Sequence, residues 1–326
     1  MQRRQKELGI TLSVILALGV IGLFMYSGVH AQGRFGQDEI ASSHTLQVGG
    51  AQIQVDFAKG QFDPPNSALL HWVETAARAV TAYYGRFPVP RARVVIVPIS
   101  GSGIHGTTWG GVGGFPGLTR MRVGTHVTQA DLTEDWTMTH ELTHMAFPSL
   151  PDDQHWMEEG LATYVEPIAR AQIGELTPQQ VWEGVMDGMP KGEPQAGDQG
   201  MDRTHTWGRT YWGGALFCLV ADVSIRKQTS NRKGLQDALR AIVNAGGTID
   251  NDWPLTRALE TGDRATGTTV LTDQYKKWSD APVSVDLPAL WKELGVHQGA
   301  KGVEFDSSAP LAKVREAITN SRQASR

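Results

Sequence analysis

The chain predicts an α+β protein, with strands and helices in its first half and helices alone afterwards. Short runs of alternating or continuous apolar residues recur up to residue 123, and helical spacing dominates from residue 131 onward. Gly and Pro, 37 and 16 of 326 residues, interrupt the chain too often for a coiled coil. With 40% hydrophobic and 20% charged residues, the composition is that of a water-soluble globular protein. The formal charge is −4 and no basic block lies beyond the extreme N-terminus, so nucleic acid is not an expected partner.

Arg3, Arg4 and Lys6 precede Leu8 to Met25, a run without a charge. Residues 1–31 therefore read as a signal peptide, with a small-residue cleavage site at Val29-His30-Ala31, or as an uncleaved membrane anchor over residues 8–29. Either reading keeps the positive flank in the cytoplasm, makes this segment the only membrane contact, and exports the rest to the periplasm or cell envelope. The single cysteine, Cys218, cannot form an internal disulfide; its apolar neighbours Phe217 and Leu219 mark it as a buried small hydrophobe.

Residues 32–43 read as a polar linker, followed by an α/β lobe over 44–174 and a helical lobe over 175–326. A hairpin is expected from Thr45–Val48 and Gln52–Phe57 around Gly49-Gly50. A helix follows from Asn66 to Tyr84, stopped by Gly85 and Pro88, and then a buried strand from Arg93 to Pro98. The Gly-rich residues 101–117 read as a loop and Leu118–Val123 as a strand. One helix is expected from about Asp131 to Phe147 and a second from about Gln154 to Gln172. Residues 186–203 read as a loop, and further helices fall near 206–227, 234–244, 252–260, 268–279 and 310–322.

Gly101-Ser-Gly103-Ile-His-Gly106 matches GxGxxG after a strand, yet Thr107 to Pro116 is too rich in glycine to open the required helix. No acidic residue follows until Asp131, so no ribose partner is present and dinucleotide binding is not expected. Backbone lying close to something bulky, such as a substrate chain, is the better explanation of these glycines.

His140-Glu141-Leu-Thr-His144 is HExxH inside a helical pattern. Two histidines at i and i+4 share one face and can reach the same Zn2+, while Glu141 is rotated to stand beside the ion as general base for a zinc-held water. The third ligand is expected to be Glu159 of the next helix, completing a His₂Glu site. Glu159, Thr163 and Glu166 share a face there, and Glu158 falls off it as a solvated residue. Glu166 reads either as an acceptor behind a ligating histidine or as a surface charge.

HELTH followed by WMEEGLATYVE resembles the gluzincin zinc peptidases of the MA clan, the compact bacterial MA-like peptidases above all. The resemblance extends over residues 70 to 225, through Tyr83-Tyr-Gly-Arg-Phe-Pro-Val-Pro and Thr210-Tyr211-Trp-Gly-Gly214-Ala-Leu. It implies a thermolysin-like zincin domain, one zinc per chain, a peptide or protein substrate, and a role for Tyr211 in donating to the oxyanion. The spacing from His144 to Glu159 is shorter than is usual in the clan's aminopeptidases. Gly110–Gly114 also lacks the glutamate with which those enzymes hold a free amino terminus.

Tyr211 reads alternatively as a core residue, and His205, six residues before it, as an accessory donor to the same oxyanion. His105, His126 and His155 have no ligand spacing and read as loop or surface histidines. The expectation is thus an exported zinc peptidase. Its alternative is a non-catalytic zinc-containing binding or scaffolding protein of the envelope, which would have no need of Glu141.

Overall fold

The computed structural model describes residues 38–320; the N-terminal segment read as signal peptide or anchor lies outside them. Among the described residues no helix is long and apolar enough to cross a membrane. The chain is mixed α/β. Strands β1 (Ile40–Val48) and β2 (Ala51–Ala58) form the expected hairpin, turned by Gly49 and Gly50 at φ 58° and 82°. β1 begins inside the stretch read as linker, because Ile40 to Ser43 pair with Ala58 to Asp56.

Helix α1 (Asn66–Tyr84) buries Leu69, Trp72, Val73, Ala76, Ala77 and Val80 on one side and ends where Gly85 adopts the left-handed conformation and donates its N–H to Thr81 O. Next come β3 (Arg91–Ile99), β4 (Ile104–Val112) and β5 (Phe115–Gly124), giving one sheet in the order β1-β2-β3-β5-β4. β2, β3 and β5 are parallel, whereas β1 and β4 run antiparallel at the two edges.

The Gly-rich segment is therefore an edge strand and not a loop. Val55, Val94, Thr119 and Thr108 lie opposite one another in successive strands, and with a period of two they share the face that carries the core. The same pairing puts Phe57, Ile96, Met121 and Gly106 in the adjacent row. Thus β4 contributes a hydroxyl and a glycine to a face whose other members in these two rows are apolar except Thr119.

The expected helix over 131–147 is two helices, α2 (Gln129–Glu134) and α3 (Thr137–His144). Asp135 breaks it: its backbone is extended, and its carboxylate accepts from Met138 N at 2.9 Å and from Trp72 Nε1 at 3.1 Å. A side chain competing for backbone N–H groups ends one helix and starts the next. Helix α4 (His155–Gln172) packs against α1 and α3.

α5 (Pro178–Gly188) is an additional helix, opened by a Thr177/Gln180 capping box with Pro178 at its first position. One wide π turn, Gly208–Gly213, leads into α6 (Gly214–Gln228), followed by α7 (Leu235–Asn244), α8 (Leu255–Thr266) and α9 (Val270–Trp278). α10 (Leu287–Leu294), a small hairpin of β6 (Val296–Gly299) and β7 (Gly302–Phe305), and α11 (Ala312–Thr319) complete the chain; α10 and this hairpin are absent from the sequence expectation. A single hydrophobic core runs from Val48 to Ile318 through both halves, with Cys218 buried in it.

The approach of α6 to α4 depends on two glycines. A Cβ at Gly160 would overlap the Gly214 backbone, and one at Gly214 would overlap Trp156 O. This contact brings the π turn that carries Tyr211 against α4, the helix next to the HExxH helix α3.

Candidate active site

α3 is buried around most of its circumference, with Met138, Leu142 and Thr143 fully enclosed. That enclosure fixes the rotation of the helix and points His140 and His144 at α4. Glu159 comes from the second turn of α4 to meet them. Its Oε2 lies 3.0 Å from His140 Nε2 and 3.6 Å from His144 Nε2. One ligand atom from each of the three residues lies within 4.8 Å of the others, the only such group of three or more His, Cys, Asp or Glu among the described residues.

A tetrahedral ion with ligand bonds of about 2.0–2.2 Å places its donors about 3.4 Å apart. The two separations to Glu159 bracket that value, so two imidazoles and one carboxylate fit a zinc ion. Burial tends to keep the Glu159 carboxyl protonated, but the charge of His144 and hydrogen bonds from His140 and His155 outweigh it and hold the pKa well below the usual range. The His144 imidazole is pushed down, chiefly by burial. Metal binding requires the carboxylate ionised and the imidazole neutral, and the two shifts run in those directions.

Glu141 lies beside the triad, on the side of β4. Thr108 donates its hydroxyl to Glu141 Oε2 at 2.7 Å and lies 3.0 Å from the Glu141 carbonyl oxygen and 2.9 Å from the buried Thr119 hydroxyl. Burial raises the Glu141 pKa, while His144 and the Thr108 hydrogen bond oppose the rise. The carboxylate is therefore held in one orientation by an edge strand.

Gly106 makes this approach possible, since a Cβ there would overlap Glu141 Cγ. Gly106→Ala is expected to displace the carboxylate, lower any turnover that depends on Glu141 by about 10²-fold, the scale of a 1 Å misplacement, and leave metal content unchanged. Parallel steady-state kinetics and metal analysis check this, and undiminished turnover would refute it. Glycine in this segment thus serves the chain's own packing: Gly106 meets Glu141, and Gly110 meets the Ile249 backbone.

Tyr211 sits in the π turn, half-buried, with its ring stacked on His140 at 6.2 Å and 20°. Its phenol is raised above the ordinary value by burial and then by the charges of Glu159 and Glu141, so it remains a proton donor at neutral pH. π turns concentrate at functional sites because they rotate one residue out of helical register.

His205 is exposed in the segment leading to this turn, and no hydrogen bond or ion pair joins it to the triad. Glu166 is neither an acceptor for a ligating histidine nor a surface charge. It is buried and paired with Arg170 at 3.0 Å, with burial pushing its pKa up to about 7. The expected outer acceptor is thus missing: His140 Nδ1 is buried and has no hydrogen-bond partner.

Glu158 is partly buried rather than freely solvated. It accepts from Leu150 N at 3.3 Å and from His155 Nδ1 at 2.9 Å, away from the triad. His155, read as a surface histidine, spans Glu158 and Glu159, with its Nε2 3.1 Å from Glu159 Oε1. Those two hydrogen bonds raise its pKa to about 10. It thereby orients the oxygen of Glu159 that faces away from His140. The i,i+4 spacing of His155 and Glu159 was the available signal. Thr108 had none, because a glycine-rich edge strand lacks apolar alternation.

No protein-family model and no curated protein matches the chain. Among solved structures, an aminopeptidase N family protein from Idiomarina loihiensis is similar in fold, with a TM-score of 0.58 and 14% identity over 78% of this chain and 49% of that one. An M1 zinc metallopeptidase from Deinococcus radiodurans aligns with a TM-score of 0.47 and 15% identity over 77% of this chain and 53% of its own. The chain spans about half the length of these structures. The likeness to the Idiomarina loihiensis protein is one of fold alone, a mixed α/β chain with a five-stranded sheet and many helices.

Proposed function

We propose that the protein is an exported zinc-dependent peptidase with a thermolysin-like catalytic domain. The observation that carries this reading is the convergence of His140, His144 and Glu159 beside a buried, hydrogen-bonded Glu141. A zinc ion held there supplies Lewis acidity, polarising a peptide carbonyl and lowering the pKa of water. Glu141 accepts the proton of the attacking water and passes it to the departing amine nitrogen, while Thr108 keeps its carboxylate aimed. A purely structural metal site would need neither Glu141 nor the hydroxyl that orients it. Export rests on the basic start and uncharged run of residues 1–31, and the packing of the HExxH helix against β4 and β5 of a five-stranded sheet supports the thermolysin-like assignment.

Tyr211 donates its phenolic hydrogen to the carbonyl oxygen as negative charge develops on it. Tyr211→Phe removes only that hydroxyl. Turnover is expected to fall by about 10²–10³, with KM, folding and zinc content little changed, because the interaction matters mainly in the transition state. Normal turnover would make Tyr211 a packing residue, and loss of turnover in His205→Ala instead would transfer the role to His205. Digestion of a broad peptide library by the zinc-loaded protein, read by mass spectrometry, tests the function itself. Defined cleavage products are expected, and an inert protein would favour the scaffolding alternative.

A further inference from the structure

Trp136 and Trp207 are the two exposed large hydrophobic side chains among the described residues, at 53% and 63% exposure. Both adjoin the site. Trp136 lies one helical turn before His140 with its ring edge-on at 5.3 Å, and Trp207 lies one turn before Tyr211 with its ring stacked at 5.9 Å and 28°. Since His140 and Tyr211 stack on each other, four rings form a row with an exposed indole at each end and the metal ligand and phenol between them.

Each step in that row is shorter than two residues of an extended peptide, at about 3.4 Å per residue. A chain crossing the site therefore brings side chains over both indoles while its middle faces His140 and Tyr211. Trp207 stacks on Tyr211 at 28° and Tyr211 on His140 at 20°, so the exposed face of Trp207 can extend the stack to an incoming ring.

We propose that Trp136 and Trp207 form two apolar subsites, and that the substrate is a peptide carrying aromatic or large aliphatic side chains within a few residues of the cleaved bond. This rests on the peptidase reading and supplies its substrate class. A bilayer is the poorer partner for these indoles. Asp131 and Glu134 stand exposed on the helix that leads into Trp136, and they repel an anionic surface. Exposed tryptophans that held a membrane would also have no reason to stack on a metal ligand and on the phenol beside it.

The test uses the zinc-loaded full chain and internally quenched peptides differing at one position, Phe or Leu against Ala. Wild type is expected to favour the bulky residue by at least about 10-fold in kcat/KM at one or more positions. Trp207→Ala and Trp136→Ala should each lower that preference by about 10-fold, mainly through KM, and Trp207→Tyr should retain it. Equal rates for bulky and small residues, or a preference untouched in both alanine variants, would overturn the proposal.

Peptide binding to the zinc-loaded Glu141→Gln protein, followed by tryptophan fluorescence, separates this inference from the peptidase reading. Phe-peptide binding that is lost in Trp207→Ala upholds the subsites even if wild type cleaves nothing. The proposal fails if Phe and Ala peptides bind equally. It also fails if anionic vesicles, and no peptides, are bound in a manner that depends on the two indoles.

Discussion

Glu141→Gln is expected to retain zinc and to lose peptide hydrolysis by about 10²–10⁴-fold, the usual scale of general-base catalysis. The amide keeps the shape of the side chain and can still accept the Thr108 hydroxyl that now bonds Oε2 at 2.7 Å. It cannot accept a proton. Because Glu141 is buried between α3 and β4, replacing a carboxylate by an amide there also removes a charge that burial disfavours, so stability should not fall. Loss of turnover with unchanged folding would therefore report chemistry alone. Rates within a factor of two of wild type would remove Glu141 from the mechanism.

The second large effect concerns the metal. His140→Ala, His144→Ala and Glu159→Ala should each weaken zinc retention by more than 100-fold, above the roughly 10–100-fold that loss of an outer hydrogen-bond partner costs. Glu158→Ala should retain the ion, because that carboxylate serves Leu150 N and His155 and does not face the triad. The adjacent pair makes a sharp comparison: both are glutamates on the first turns of α4, and only Glu159 reaches His140 and His144. Competition with a chromophoric chelator measures all four variants. Zinc lost from Glu158→Ala and retained by Glu159→Ala would reverse the assignment.

The residues proposed to hold the metal were legible because helix geometry is local. Spacings of four place His140 with His144, and Glu159 with Thr163, on single faces whatever the rest of the chain does. What surrounds them was not legible. Thr108 reaches Glu141 through strand pairing between residues eleven apart and then across to a helix more than thirty residues on, and no local pattern encodes such a meeting.

Glycine misled in the same region. Gly106 and Gly110 weaken any strand pattern, yet they are there because Glu141 and the Ile249 backbone lie where a Cβ would go. The break between α2 and α3 was written in Asp135, a capping residue in mid-pattern, and α5 was written in Thr177-Pro178-Gln-Gln180. Both signals were outweighed by the longer periodicity or the Gly- and Pro-rich sequence around them. Glu166 shares the Glu159 face, and its i,i+4 spacing to Arg170 was the local signal for its partner, while its burial shows only in the packing.

Zinc reconstitution followed by hydrolysis tests the central claim most directly. Protein stripped by a chelator should cleave no peptide, and activity should return in proportion to added zinc and saturate at one ion per chain. A zinc-saturated, folded protein that hydrolyses no peptide in a broad library, or a stripped protein that hydrolyses as well as the reconstituted one, would contradict it.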